Sequence, residues 1–361
     1  MASGGGLIQL VSKGIQDAYI IDSDAATDAS FFRTAYRRHA NFSHVARCLG
    51  GTLTKETTVI KIERYGDLVN HVWLEGTGAD ELDLSGTVFD LYIGGQKVDS
   101  HTFDYTTEIW PSYMADTYAK TATNTGHFIP LHFFFCDSAM FLPLVALQYA
   151  DVEIHVAWGP ATHPVSGIKC YANYVYLDTA EREAFVNTDM ELLITQVQRY
   201  SSAPLSNGQV DIDLSYLNHP VKSIFFGFEK LEEYVPTDSF TFSRADMQIN
   251  GTYLFEGLSA QYFHTVQCYY NTKFGVSKYD YLSGSPVNTR YSMYNFCIDA
   301  SSYAPTGTCN FSRLDNAKLT LHDVAVAPER LGGTSTTIKL YAVNYNIMRI
   351  KKGIAGIIFA D

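Results

Sequence analysis

Apolar and polar residues alternate in short runs along this chain. Thr57-Thr58-Val59-Ile60-Lys61-Ile62-Glu63-Arg64 alternates, as do Val152-Glu153-Ile154-His155-Val156 and Lys318-Leu319-Thr320-Leu321-His322. A period of two puts every second side chain on one face, so each run predicts a strand with one buried face. Gly, Pro, Asn and Asp interrupt the runs at short intervals, as tight turns require. Helical periodicity is scarce. Trp110 to Lys120 and Asp178 to Phe185 are the short helices it predicts. The texture is that of an all-β sandwich or barrel.

A weak internal repeat runs through the pattern. Asp90-Leu91-Tyr92-Ile93-Gly94-Gly95 reads like Asp246-Met247-Gln248-Ile249-Asn250-Gly251, each a strand followed by a hairpin turn. Phe135-Cys136-Asp137 echoes Phe296-Cys297-Ile298-Asp299, and Val152-Glu153-Ile154-His155 echoes Leu319-Thr320-Leu321-His322. The echoes keep their order while their spacing grows slowly, as two copies of one β-domain with loops of unequal length would show. The seam is expected within Asp189 to Leu205, where Val186 to Asp189 and Ser201 to Pro204 read as turns around a strand over Leu192 to Gln198. The expected division is an amino-terminal arm over 1–30, a first domain over 31–188 and a second over 189–361. Each copy has the length of an eight-stranded jelly roll.

Composition narrows the function. Charged residues make up 18% of the 361 and aromatic residues 14%. Such a chain has surface suited to protein contacts, although Tyr and Phe also favour strands. The formal net charge is −12, whereas a protein gripping nucleic acid wants a basic surface. The first thirty residues hold Lys13 against Asp17, Asp22, Asp24 and Asp28. No direct genome binding is expected. The six cysteines form no C-x-x-C pair, so they read as reduced core residues rather than a zinc site. Neither a signal peptide nor a membrane span is expected.

Catalytic signatures are missing: no G-x-S-x-G, Walker-type loop, H-E-x-x-H or H-x-H pair occurs. His127 and His132 read as opposite faces of one strand, and His155 and His322 as polar strand faces. Asp22-Ser23-Asp24 with Asp28 lacks the Gly and final Glu of a calcium loop. Glu229, Glu232 and Glu233 read as a hydrated edge. We expect no catalytic residue, cofactor or metal. Asn41, Asn250 and Asn310 are N-x-[ST] sequons. Asn41 and Asn310 read as turn residues, and Asn250 is the glycosylation candidate.

Two phrases carry a family resemblance. They are Phe31-Phe32-Arg33-Thr34-Ala35-Tyr36-Arg37-Arg38-His39-Ala40-Asn41-Phe42-Ser43 and Pro305-Thr306-Gly307-Thr308-Cys309-Asn310-Phe311-Ser312-Arg313-Leu314-Asp315-Asn316. Leu217-Asn218-His219-Pro220-Val221-Lys222 and Tyr341 to Ile350 support them. Together they resemble the major capsid proteins of the large nucleocytoplasmic DNA viruses, the phycodnavirus and iridovirus type. The resemblance implies two eight-stranded antiparallel jelly rolls in tandem. It implies a homotrimer of pseudo-hexagonal outline that tiles an icosahedral shell of a double-stranded DNA virus, made in the host cytoplasm or a viral factory. Its implied partners are neighbouring capsomers, minor capsid and penton proteins, and an internal membrane. Leu7, Ile8, Leu10 and Val11 fall in what looks like the inward assembly arm. The chain is shorter than family members, which implies short outward loops. Competing readings are a carbohydrate- or receptor-binding β-sandwich, such as a minor capsid or fibre component, and a two-sandwich glycan hydrolase.

Overall fold

A computed structural model describes residues 41–76, 84–115, 128–136, 140–159, 167–204, 208–228, 239–273, 279–280, 285–286, 291–327 and 337–359. The chain divides into residues 1–41 and 42–361, and the second unit holds the architecture below.

The first half contributes β1 (Phe42–Leu53), β2 (Val59–Lys61), β3 (Leu68–Gly76), β4 (Val88–Ile93), β5 (Gln96–Thr102), β6 (Phe128–Leu131), β7 (Val152–Ala157) and β8 (Ile168–Leu177). They form two antiparallel sheets, ordered β1-β8-β3-β6 and β2-β7-β4-β5. Helix α1 (Thr179–Asn187) leads to β9 (Met190–Pro204), β10 (Gly208–Asp213), β11 (Pro220–Gly227), β12 (Ser239–Thr241), β13 (Arg244–Ile249) and β14 (Thr252–Leu258). Helix α2 (Gln267–Asn271), the paired β15 (Tyr279–Asp280) and β16 (Ser285–Pro286), β17 (Tyr291–Asn295) and β18 (Cys309–Asn310) follow. The chain closes with β19 (Ala317–Ala327), β20 (Thr337–Lys351) and β21 (Ile354–Ile357). The main sheets of this half run β9-β20-β11-β17 and β10-β19-β13-β14.

The two halves therefore repeat one strand order, and the fold is a double jelly roll. Opening and closing strands pair (β1 with β8, β9 with β20), and each of the other six strands of the first half has its counterpart in the second, which adds β12, β15, β16, β18 and β21. The sequence echoes fall on equivalent elements. Asp90–Ile93 lies in β4 and Asp246–Ile249 in β13, while Val152–His155 lies in β7 and Leu319–His322 in β19. Phe135 and Cys136 follow β6 as Phe296 and Cys297 follow β17. Both hairpins turn through left-handed pairs: Gly94 and Gly95 have φ of 60° and 81°, Asn250 and Gly251 of 48° and 81°. That backbone matches the strand twist and suits Gly and Asn.

Alternation does the core building. β4 buries Phe89, Leu91 and Ile93, and β19 buries Leu319 and Leu321, each set facing an opposed sheet. Two separate cores result, one around Phe89, Leu91, Ile154 and Tyr174, the other around Ile224, Phe226, Met247 and Leu340. The long ribbon of β9 and β20 serves both. Its one end gives Ile194, Met348 and Ile350 to the first core, and its other end gives Leu340 and Ala342 to the second.

Several expectations need correction. Within the expected seam, Met190–Pro204 is one extended strand rather than a strand between turns, because Ser201 and Pro204 stay paired with Lys339 and Thr337 of β20. Val186 and Asn187 end helix α1 rather than forming a turn. Alternation over 57–64 yields only the three-residue β2. The helix expected from Trp110 begins earlier: a wide π-type helical segment spans Tyr105–Met114, with Pro111 inside it. Tyr105, Ile109 and Tyr113 give it a buried face that the Trp110 start point cut in half. Helix α1 begins as expected, with Asp178 capping the Glu181 amide. β6 stops at Leu131, so His132 lies beyond the strand, stacked on Trp110 at 3.7 Å between ring centroids.

Helix α1 buries no side chain fully. A bidentate ion pair ties it down: Arg182 Nε lies 2.9 Å from Asp67 Oδ1 and Nη2 3.0 Å from Oδ2. Asp67 Oδ2 also accepts from the Leu177 amide at 2.8 Å. Such fork-to-fork geometry fixes orientation as well as supplying energy.

Candidate functional site

The residues that join the two rolls form a third core. The helical segment after β5 lays Tyr105, Ile109 and Tyr113 against Val197 of β9, Phe225 of β11, Tyr291 and Met293 of β17, and Tyr341 and Val343 of β20. A spacing of four places these three side chains on one helical face. The seam is aromatic but threaded with hydrogen bonds, because each phenol taken out of water needs a partner. Tyr291 donates to Asp104 Oδ2 at 2.9 Å, Tyr113 donates to the Tyr291 carbonyl at 2.6 Å, and Thr102 and Tyr341 share a hydrogen bond of 2.9 Å. Burial pushes the Tyr105 and Tyr113 phenols up, so both stay neutral.

Below this lies a strand edge capped by a carboxylate. Asp99 of β5 accepts from the Val197 amide of β9 at 2.8 Å and from the Ser100 amide at 2.8 Å. The Gln196 side chain donates to the Val98 carbonyl. A carboxyl side chain thus occupies the open edge of β9, which would otherwise invite pairing. His101 Nε2 stands 3.4 Å from Asp99 Oδ2, its ring stacked between Tyr105 and Phe133. Burial raises the Asp99 carboxyl and lowers the His101 imidazole, while each group's charge opposes the other's shift. His264, between Tyr113 and Ser292, is pushed down to about 4 by burial.

The equivalent faces of the two rolls differ in cover. In β11, Phe225 sits opposite Tyr341 on one side and Met293 on the other, and all three are fully buried under the first roll's helical segment. In β3, Trp73 sits opposite Tyr171 and Pro130 in the same arrangement, and all three are only half-buried. Trp73 stacks on Tyr171 at 5.7 Å and leans on Phe128 at 6.4 Å. A cavity of about 330 Å³ opens beside this face, bordered by Trp73, Trp110, Phe128 and Tyr303. Large apolar side chains are exposed elsewhere too, with Tyr149 at 77%, Tyr270 and Ile298 at 74% and Phe42 at 64%.

The site residues expected from sequence do not gather. Leu7, Ile8, Leu10 and Val11 lie outside the described residues, as do His127, the Asp22 to Asp28 cluster and Glu229, Glu232 and Glu233. Asn250 is exposed in the β13–β14 turn, and its Oδ1 accepts from the Asp315 and Asn316 amides at 3.2 Å each. Asn310 caps a short turn by accepting from Ser312. Among the described residues, no three His, Cys, Asp or Glu side chains cluster as a metal site. His155 instead pairs with Glu153 and stacks on Tyr92, and His322 pairs with Asp246 at 2.7 Å. All six cysteines are free; Cys170, Cys268 and Cys297 are buried, while Cys48, Cys136 and Cys309 are intermediate. Sequence reading missed the seam, although Tyr105, Ile109 and Tyr113 at a spacing of four were its legible signal.

Comparison with known proteins agrees along the whole chain. The family described as large eukaryotic DNA virus major capsid protein matches residues 181–356, and the major capsid protein N-terminus family matches 30–178. The chain is 31% identical to the major capsid protein of Pyramimonas orientalis virus, over 99% of this chain and 100% of that protein. Identity with the major capsid protein of Paramecium bursaria Chlorella virus 1 is 28%, over 99% and 100%. The PBCV-1 virus capsid structure superposes with a TM-score of 0.72 at 25% identity, covering 92% of this chain and 100% of that one. The Faustovirus major capsid protein shares the fold, with a TM-score of 0.57 at 12% identity over 90% and 93%.

Proposed function

Because the chain belongs to the family of large eukaryotic DNA virus major capsid proteins, we propose that three copies close into a capsomer of six jelly rolls with a pseudo-hexagonal outline. As a major capsid protein it is a structural component of the virion, assembling with copies of itself, and not an enzyme. One observation carries the trimer reading. The seam fixes two rolls of identical strand order into one rigid pair, so three pairs make a ring of six similar units. A closed ring also removes open sheet edges, and permanent interfaces of this kind bury more than about 2,000 Å².

The division that goes with this reading is an arm over 1–30, a first roll over 31–188 and a second over 189–361. The arm, with Leu7, Ile8, Leu10 and Val11, would order on a neighbouring capsomer, a minor capsid or penton protein, or the face of an internal membrane, as apolar segments after Gly-rich starts do. Its charge argues against the genome as its partner. Asn250 would carry sugar at its amide nitrogen, which leaves Oδ1 for Asp315 and Asn316; an unmodified intact mass for virion-derived protein would remove that assignment.

Sedimentation and electron microscopy of purified protein test the main reading. Trimers with a hexagonal outline are expected, and a folded monomer at all accessible concentrations would overturn it. Deleting residues 1–22 should leave trimers intact and block closed shells; normal shells from the truncated chain would sink the role given to the arm.

A further inference from the structure

Within one chain, the first roll already shows how it holds the second. Its helical segment, beginning three residues after β5 ends at Thr102, covers the outward face of the second roll's opening sheet. The second roll carries the equivalent segment. β14 ends at Leu258, and a helical stretch runs from Tyr262 through Asn271. Its inner side chains Phe263, Gln267 and Cys268 are buried, but Val266, Tyr269 and Tyr270 point outward at 37%, 58% and 74% exposure. Tyr269 and Tyr270 meet edge to face at 4.9 Å. Aromatic pairs presented in this way are what interface centres are made of.

The equivalent target is also present and only half-buried. Trp73, Tyr171 and Pro130 occupy in the first roll the positions that Phe225, Tyr341 and Met293 occupy in the second. The second set is buried by a helix; the first is half-buried and borders a cavity of about 330 Å³. We propose that the helical stretch 262–271 of one copy seats Val266, Tyr269 and Tyr270 on the Trp73–Tyr171–Pro130 face of the next copy, repeating between chains the seam found within one. The inference rests on the trimer reading above and names the surfaces that close the ring.

The neighbouring edges support the same partner. Inside the chain, β5 of the first roll meets β9 of the second through Asp99. Between copies the equivalent meeting is β14 with β1. Both strands are exposed along most of their length. β1 carries His44 and Arg47 and no acidic residue, while β14 carries Glu256 and no basic one. Opposite charge on two open edges favours this pairing over self-pairing of either. A head-to-tail contact of this kind closes as a ring when the rotation per copy divides a full turn.

The test uses the full chain. Benzoylphenylalanine in place of Tyr270, in trimers mixed from isotopically light and heavy protein, should cross-link under light to the strand holding Trp73 or Tyr171 of the other isotope. Cross-links confined to one copy, or to a different sheet, overturn the proposal. As a second arm, Tyr270→Asp should weaken trimer association about thirtyfold and leave the melting of the monomer unchanged, because the side chain is exposed. Trimers of unaltered affinity in Tyr270→Asp defeat this docking and leave the trimer intact as a reading. A wild-type chain that never trimerises defeats both.

Discussion

β1 and β9 open their respective rolls, and each pairs along its length with the strand that closes its roll. Their surroundings differ. The first six residues of β1 are all exposed, on both faces of the strand. β9 has its outer edge met by Asp99 and its Val197 packed in the seam. The fold is the same, so topology does not decide which strand is covered. Position in the chain separates them: β9 follows the first roll in the same polypeptide, whereas β1 opens that roll, and under the docking proposed above its cover comes from another copy.

Four measurements would break or sharpen this contrast. The largest effect should come from the covered face. Tyr341→Ala or Phe225→Ala removes a fully buried ring shared by both rolls and should cost about 3–5 kcal/mol in chemical denaturation. If either variant were as stable as the parent, the seam would not be holding the rolls together. Next, Asp99→Ala strips the cap from the β9 edge. It leaves the Val197 amide without its acceptor and should cost about 1–3 kcal/mol. A neutral result would mean that water replaces the carboxylate freely.

The third is a pH effect at the seam. His264 titrates near 4 in the fold against its ordinary 6.5. The unfolded chain therefore binds the proton first as pH falls. Stability should decline between about pH 6.5 and 4, by roughly 3 kcal/mol from this group, and the slope should flatten in His264→Gln. An identical slope in the variant would assign the pH dependence elsewhere. The smallest effect belongs to the open strand. Val45→Thr or Arg47→Gln in β1 should change monomer stability by less than about 0.5 kcal/mol yet weaken assembly. A large loss in the monomer would show that β1 already has its partner within the chain.

The fold was largely legible in the sequence, for a physical reason. Side-chain alternation is a local consequence of burying one sheet face, so the runs at Val152 and Lys318 announced β7 and β19 directly. The duplication surfaced wherever both copies need the same local chemistry, as at Gly94-Gly95 and Asn250-Gly251, where the hairpins need left-handed backbone. What could not be read depends on distant residues. Ser201 to Pro204 looks like a turn by composition and is a strand only because Thr337 to Lys339 lie alongside. Nothing near Asp99 says that its carboxylate caps a strand ninety-eight positions away. Trp73 and Phe225 are separated by most of the first roll, and their equivalence emerges only when registers are compared. The assembly arm with Leu7, Ile8, Leu10 and Val11 was named from sequence and lies outside the described residues.

The ribbon of β9 and β20 also sets a timetable for synthesis. Met190 pairs with Ile350, near the far end of the chain, and the first core itself includes Met348, Ile350 and Ala355. A ribosome therefore cannot release a finished first roll while the second is still being made. The nascent chain can pair β1 with β8, but the core beneath them stays open until the last strands leave the exit tunnel. Contacts this distant in sequence slow folding, since loop closure precedes their reward. The half-built chain meanwhile exposes aromatic strands at the crowded site of its own translation, where aggregation competes. Refolding of the full chain should accordingly be slow, and chains truncated before Thr337 should require a chaperone to stay in solution.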